Sequence, residues 1–320
     1  KLCEVKYTVA LNSGTDALTL ALHLLGVNRG DEVITPPNSF IASTAVIMHL
    51  GAVPVFVDVL PDQNIDPEKI EAAITNKTKA IVPVHLSGRI CDMDTIMEIA
   101  KKHGLKVVED AAQAIGSTYK SKPSGSMGDI GCFSTHPLKN LNACGDGGFL
   151  VTNEENLYSK AKSLRNHGMA DRDRVETFGY VSRMDNLQAA ILNYRLKKLD
   201  SIIEKRRKNA QYYFDHIESE SVILPLERDY EFNTYHTFVI QVEKRNELKD
   251  YLLTKGIETS VHYPTPIHLQ PAARKLRYKL GNFPIAEEQT KKIITLPINQ
   301  QLSEIELEHI STTINDYYVK

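Results

Sequence analysis

The sequence predicts an α/β fold, a mostly parallel sheet flanked by helices, followed by a smaller C-terminal α+β domain. Three observations predict it. Short apolar runs alternate with amphipathic stretches through the first two-thirds of the chain. One such run, Leu105-Lys106-Val107-Val108, ends in the carboxylates Glu109-Asp110, and in open α/β sheets ligands bind at the carboxyl ends of strands. A lone lysine, Lys139, then stands among small and apolar residues just before Gly145-Asp146-Gly147-Gly148.

Taken in order, Ala17 to Leu25 is an apolar helical run behind Asn12-Ser13-Gly14-Thr15-Asp16. Val33-Ile34-Thr35 reads as a strand and Ile41 to Leu50 as a helix. Val53 to Val59 is a strand, and Pro67 to Ile74 is helical, with proline suited to a first turn. Ala80 to His85 is a strand, and Met93 to His103 is a helix ended by Gly104. Leu105 to Glu109 is the next strand; Ile130 to Ser134 and Gly148 to Thr152 flank the lysine as two more. Strand and helix in alternation imply right-handed βαβ units. Leu187 through Phe214 reads as one long helix linking to a second domain that begins near Ser221. There Thr237 to Val242 is a strand, Arg245 to Lys255 a helix, Ile257 to His262 a strand and Glu304 to Tyr317 a closing helix. The expected domains are 1–220 and 221–320.

Composition narrows the function. A chain of 320 residues, 42% hydrophobic, buries roughly 75% of its unfolded surface and needs no staples. A net charge of -2 suggests neither nucleic acid nor an anionic membrane as partner. Lys205-Arg206-Arg207-Lys208 reads as a solvated helix face. The four cysteines, Cys3, Cys91, Cys132 and Cys144, form no CxxC pair and no metal motif, so no metal and a reduced, cytoplasmic setting are expected. No apolar run approaches the roughly 18 residues of a membrane span, and no signal peptide is expected. Because the chain opens without Met at Lys1-Leu2-Cys3, a preceding segment is expected.

The lysine and the strand-end carboxylate suit an enzyme that holds pyridoxal phosphate. Its aldehyde needs an amine, and its ring nitrogen needs a carboxylate. Lys139 would bind the aldehyde as a Schiff base and later shuttle a proton. Asp110 would pair with the ring nitrogen; an aspartate after a strand also commonly caps a helix. Gly14 and Thr15, at a helix start, make a phosphate site, though Ser-Gly-Thr also serves as a plain cap. Ser134, five residues before Lys139, adds a hydroxyl. Phe40, in Pro36 to Thr44, would stack on a flat cofactor or pack in the core.

In order, Ser13-Gly14-Thr15, Glu109-Asp110-Ala111-Ala112-Gln113, Phe133-Ser134-x-His136-Pro137-x-Lys139-Asn140-Leu141, Gly145 to Gly148, and Ser182-Arg183-Met184-Asp185-x-x-Gln188-Ala189-Ala190 resemble the DegT/DnrJ/StrS aminotransferases. The likeness runs from about Val9 to the C-terminus, with His262-Tyr263-Pro264 and His268-Leu269-Gln270-Pro271 matching as well. It implies fold type I, the cofactor pyridoxal 5'-phosphate, L-glutamate as amino donor and a nucleotide-linked keto-sugar as acceptor, for surface polysaccharide or glycan amino sugars. It also implies a homodimer with shared active sites. By resemblance, Lys139 is the Schiff-base lysine, Asp110 meets the pyridine nitrogen, Gln113 the ring hydroxyl and Phe40 the ring face, while Gly14, Thr15 and Ser134 bind phosphate. The family's asparagine two residues before Arg183, which reaches the neighbouring subunit's phosphate, is Val181 here; its contact would be lost, made by backbone or shifted to Ser182. Lysine rather than histidine at 139 points away from the deoxygenating branch, and the wording around it leans to amination at sugar C-3. The competing readings are an inactive regulator or scaffold of the same fold and a nicotinamide-dependent sugar enzyme. The second lacks a G-x-G-x-x-G after a strand.

Overall fold

The computed structural model describes residues 2–319. In chain order its first elements are β1 (Tyr7–Leu11), α1 (Gly14–Leu24), β2 (Glu32–Thr35), α2 (Ala42–His49), β3 (Val53–Phe56), β4 (Thr78–Ile81), α3 (Met93–His103) and β5 (Lys106–Asp110). Next come β6 (Thr118–Tyr119), β7 (Lys122–Pro123), β8 (Ile130–Ser134), β9 (Gly148–Thr152), α4 (Glu155–Leu164), α5 (Asn186–Leu196) and α6 (Leu199–His216). The chain closes with β10 (Val222–Ile223), β11 (Glu231–Phe232), β12 (Phe238–Val242), α7 (Arg245–Thr254), α8 (Pro284–Lys292), β13 (Ile293–Leu296) and α9 (Glu304–Val319).

Seven strands form the main sheet in the order β1-β9-β8-β5-β4-β2-β3. Every neighbouring pair from β8 to β3 is parallel, and β9 runs antiparallel to both β8 and β1. The carboxyl ends of β1, β2, β5 and β8 and the start of β9 therefore share one edge of the sheet. This is the mostly parallel sheet flanked by helices that the sequence predicts. Helix α1 packs on β8 and β9 through Ala17, Leu20 and Ala21, which share a buried cluster with Val9, Val108, Ile130 and Leu150. A second core gathers Tyr213, Phe238, Ile240, Leu248, Ile294 and Ile314 around the antiparallel β10-β12-β13 sheet. Helix α6 serves both regions: Leu199 and Ile203 pack beside Phe133 and Leu141, while Ala210 and Tyr213 belong to the second core.

Several expected elements differ. The helical pattern from Leu187 to Phe214 is two helices, broken at Lys197-Lys198, where Lys198 has φ -108° and ψ -2°. No glycine or proline marks the break, because tertiary packing makes it: α5 turns its polar side chains onto the lysine loop while α6 runs into the second core. Ile257 to His262 is not a strand; it contributes a single bridge, Ser260 to Thr295. Pro67 to Ile74 forms two 3-10 turns rather than an α-helix, the first held by the Asp66 side chain accepting from the Glu68 N–H at 3.1 Å. β4 stops at Ile81, short of His85, since Pro83 has no N–H for the ladder. The expected Val53 to Val59 strand likewise ends at Phe56. β1, α4, α8 and β13 carried no clear sequence signal.

Buried Glu109 fixes the floor of the site. Its carboxylate accepts from the backbone N–H groups of Gly125 (2.7 Å), Met127 (2.7 Å) and Gly128 (2.6 Å). His85 Nε2 lies 2.9 Å away. The Cys91 N–H donates to His85 Nδ1 at 3.3 Å, so the hydrogen-bond pattern assigns the proton to Nε2, which donates to Glu109. Glu109→Ala would strand these donors in the interior. It should cost about 1–3 kcal/mol for each donor left unsatisfied, read as a lowered urea midpoint, and an unchanged midpoint would contradict this role.

Candidate active site

β5 ends in two carboxylates on opposite faces of the sheet, because side chains alternate along a strand. Asp110 is buried, 5% exposed. Its Oδ2 accepts from the Ser43 hydroxyl at 2.7 Å and its Oδ1 from the Ala112 N–H at 3.2 Å. An ionised carboxylate has about four lone-pair sites, so Asp110 keeps capacity for another N–H donor.

Lys139 lies on the loop between β8 and β9. Thr135 N–H to Gly147 O (2.8 Å) and Ala143 N–H to Thr135 O (2.7 Å) close that loop at its base. Gly147 has no room for a side chain, since a Cβ there would collide with Thr135 Oγ1. From α5, Gln188 bonds both the N–H (2.8 Å) and the carbonyl (3.2 Å) of Cys144. Arg195 Nη1 donates to the carbonyls of Asn142 (2.8 Å) and Ala143 (3.2 Å). The Asn140 side chain donates to Thr234 O at 3.2 Å. Burial lowers the Lys139 pKa below the ordinary lysine value of 10.5, and the nearby Asp110 charge opposes part of that shift.

The start of α1 forms a cradle against the sheet. Ser13 caps the helix, its hydroxyl accepting from the Asp16 N–H at 3.0 Å. The N–H groups of Gly14 and Thr15 come before the first intrahelical bond, which is Ala17 N–H to Ser13 O at 3.1 Å. A Cβ at Gly14 would lie 2.7 Å from Ser134 Cβ, and one at Gly148 would strike the Ser13 backbone. Only glycine allows this approach, which brings the helix end against Ser134. Free N–H groups, hydroxyls and the positive end of the helix dipole suit a phosphate. Ser134 Oγ accepts from the His136 N–H at 3.3 Å, which leaves its own proton to donate.

Phe40 precedes α2 by one turn from Ser43 and is 53% exposed. Its ring lies 5.9 Å from that of Tyr263. Gln113 is buried; its Oε1 accepts from the Ser87 N–H at 2.7 Å, and its side chain bonds the Tyr263 hydroxyl. Burial, with the Asp110 charge second, pushes the Tyr263 pKa up to about 12. Burial and the Lys139 charge lower the His262 pKa. Ser182 is fully buried within its own chain, donating to Asn12 Oδ1 at 3.3 Å, while adjacent Val181 is 57% exposed. Ser182 thus braces the approach to the cradle, and Val181 is the residue facing outward.

Lys139, Asp110, Gln113, Phe40, Gly14, Thr15 and Ser134 come to one edge of the sheet, and among the described residues no His, Cys, Asp and Glu cluster could hold a metal. Ser43, Ser87 and Tyr263 join the site without being predicted by the sequence. Ser43 stands one helical turn after Phe40 in the Pro36 to Thr44 segment, and that spacing is its only local signal. Tyr263 has its place in the His262-Tyr263-Pro264 motif as its signal.

The chain is similar over almost its whole length to known proteins. The family model described as the DegT/DnrJ/EryC1/StrS aminotransferase family matches residues 1–315. A Geobacillus stearothermophilus protein named pleiotropic regulatory protein is 43% identical over 319 residues, covering 98% of this chain and 86% of that one. The dTDP-3-amino-3,6-dideoxy-alpha-D-galactopyranose transaminase of Aneurinibacillus thermoaerophilus is 43% identical over 318 residues, with the same coverage. Among solved structures, S. venezuelae DesV, captured with a ketimine intermediate, matches with a TM-score of 0.97 and 38% identity, covering 100% of this chain and 86% of that one. The PMP form of a sugar aminotransferase from Streptococcus pneumoniae matches with a TM-score of 0.93 and 30% identity, covering 98% and 88%.

The lowered Lys139 pKa has a consequence for stability in cofactor-free protein. Between the folded pKa and the ordinary value of 10.5, the unfolded chain binds more protons, so stability rises with pH across that window. Urea unfolding of wild type should show this rise, and Lys139→Met should flatten it. Parallel curves would show that Lys139 titrates normally.

Proposed function

This chain belongs to the DegT/DnrJ/EryC1/StrS aminotransferase family, and on that premise we propose that it moves an amino group from L-glutamate to the keto group of a nucleotide-linked sugar, using pyridoxal phosphate. The observation that carries the reading is Lys139 held with its amine below ordinary basicity beside Asp110, at the same sheet edge as the α1 cradle.

The residues fit the cofactor. The cradle that a Cβ at Gly14 would fill takes the phosphate on the Gly14 and Thr15 N–H groups and the Thr15 and Ser134 hydroxyls, with Ser182 steadying Asn12 behind it. The unused lone pairs of Asp110 would hold the proton on the ring nitrogen, oriented by Ser43. Phe40 would cover one ring face, and the second N–H of the Gln113 amide would meet the ring hydroxyl. When bound, the group supplies a carbonyl that accepts the donor's amine and a ring that takes up the electron pair left by a departing proton. Lys139 would hold that carbonyl carbon at rest. When its Nζ is free, Lys139 would take the proton from one carbon and deliver it to another. Burial favours this step in direction, since desolvation disfavours the ammonium form of Lys139.

The partner and setting follow. Phe178 (95% exposed), Leu187 (70%) and Tyr194 (61%) present apolar surface, and so does Leu138 (75%), next to Lys139. A second copy covering them would form a homodimer whose sites are shared. Two separate cores support a division into two domains, 1–220 and 221–320, with Ala210, Tyr213 and Ile217 of the first span packing into the second core. Among the described residues no helix is long and apolar enough to cross a membrane, and free cysteines suit a cytoplasmic setting. Amination at C-3 is supported by the name of the Aneurinibacillus relative, a 3-amino sugar transaminase, with the product destined for a surface polysaccharide or glycan.

Incubation with L-glutamate and nucleotide-linked 3-keto-sugars should yield 2-oxoglutarate and the amino sugar by mass spectrometry. Lys139→Ala should lower turnover by about 10⁴-fold. Full activity in that variant would end the assignment, and a wild type that binds cofactor but turns over no keto-sugar would favour a regulator.

A further inference from the structure

Gln113 takes its direction from one backbone group. Its Oε1 accepts from the Ser87 N–H at 2.7 Å, so the amide turns its N–H donors the other way. Ser87 has φ +61° and ψ +6°. A residue with a side chain enters that left-handed region at a cost and stays there only where its surroundings over-determine it. Relaxation to negative φ would re-aim the peptide groups on either side of Ser87, and the N–H that holds Gln113 is one of them.

The surroundings that hold Ser87 come from the second core. Phe238 is fully buried there, and the chain just before it, Thr234 to Thr237, lies along the turn. The Thr234 N–H donates to Gly88 O at 3.2 Å and the His236 N–H to Ser87 O at 3.0 Å. A Cβ at Gly88 would lie 2.8 Å from Thr234 Oγ1 and 3.0 Å from the Tyr235 nitrogen, so a glycine is what lets the two segments close. Arg206 Nη1 fixes the incoming segment by donating to the carbonyls of Tyr235 (3.0 Å) and His236 (3.1 Å). The last contact joins side chains: the Thr237 hydroxyl donates to Ser87 Oγ at 2.8 Å. A continuous path of printed length thus runs from Thr237 through Ser87 to Gln113.

We propose that Thr237 is a positioning residue for Gln113: by holding Ser87 from the second core, it fixes the amide that meets the cofactor's ring hydroxyl. The inference rests on the cofactor reading given above. It makes the seating of the second core a determinant of how the ring is held, and it names a residue outside every site motif quoted for this chain.

Thr237→Val keeps the shape and removes the donor, whereas Thr237→Ser keeps the donor. In cofactor-free protein, amide hydrogen exchange in the 86–88 turn should quicken about tenfold in Thr237→Val and return towards wild type in Thr237→Ser. Unchanged exchange overturns the proposal. With pyridoxal phosphate loaded, the readout is the pH midpoint of the visible band. A donor on the ring oxygen favours the form with more negative charge, the deprotonated one, so loosening Gln113 should raise that midpoint by about 0.5 unit in Thr237→Val. Thr237→Ser should keep the wild-type value. In a Gln113→Met background, Thr237→Val should add no further shift, because both act through one contact. An unshifted midpoint in the valine variant, or the same shift with and without Gln113, overturns the proposal. Should the valine variant fail to fold, Ser87→Ala removes the acceptor of the same bond and must give the same shift. A folded wild type with no visible band on adding cofactor defeats the cofactor reading instead, and the exchange rates then decide whether Thr237 holds the turn.

Discussion

The last two residues of β5 are the constraint on which the rest of the site depends. Strand alternation forces Glu109 and Asp110 to opposite faces, and the protein treats them in opposite ways. Glu109 is saturated by three backbone N–H groups and His85. It is a structural charge, costly to disturb because nothing else can satisfy those donors. Asp110 receives only Ser43 and the Ala112 N–H. Two adjacent carboxylates thus divide the labour: one knits the 125–128 turn under the sheet, and the other stays able to take a ligand N–H. The β5–β8 pairing sets Asp110 opposite Cys132, which brings Ser134 and the lysine loop to the same edge.

Close backbone packing does the rest. Gly14 and Gly148 let α1 press onto β8 and β9 so tightly that any side chain would clash. The helix end then lies against Ser134, an arrangement that suits a phosphate. On the other flank, α5 supplies Gln188 and Arg195 to the carbonyls of the lysine loop. The loop can therefore be irregular, as catalytic loops are, while its base stays fixed. Lys139 is left with its amine buried beside a single carboxylate. Desolvation and that charge act in opposite directions on it, and desolvation prevails.

Much of this was legible in the sequence. The Lys106–Asp110 strand, the cap ahead of α1 and Lys139 before a glycine run each have a local chemical cause. The breaks that were not legible have tertiary causes. Lys197-Lys198 ends a helix without a breaker residue, and the extended run after Ile257 fails to become a strand because only Ser260 bridges β13, at Thr295. Ser43 left only a spacing, because it reaches Asp110 across 67 positions of sequence. Residues that act through distant partners leave little local pattern, whereas those that cap, turn or end a strand leave a good deal. Ser182 belongs between these cases: its motif was evident, but its inward direction, against exposed Val181, depended on the fold.

The central claim is that Lys139 and Asp110 together hold pyridoxal phosphate ready to take an amino group. The most direct measurement is the visible absorbance of purified protein loaded with pyridoxal phosphate, recorded before and after L-glutamate. A yellow band that gives way to the absorbance of pyridoxamine phosphate, with 2-oxoglutarate released in equal amount, is the predicted result. A folded protein that shows no band with added cofactor would contradict the account.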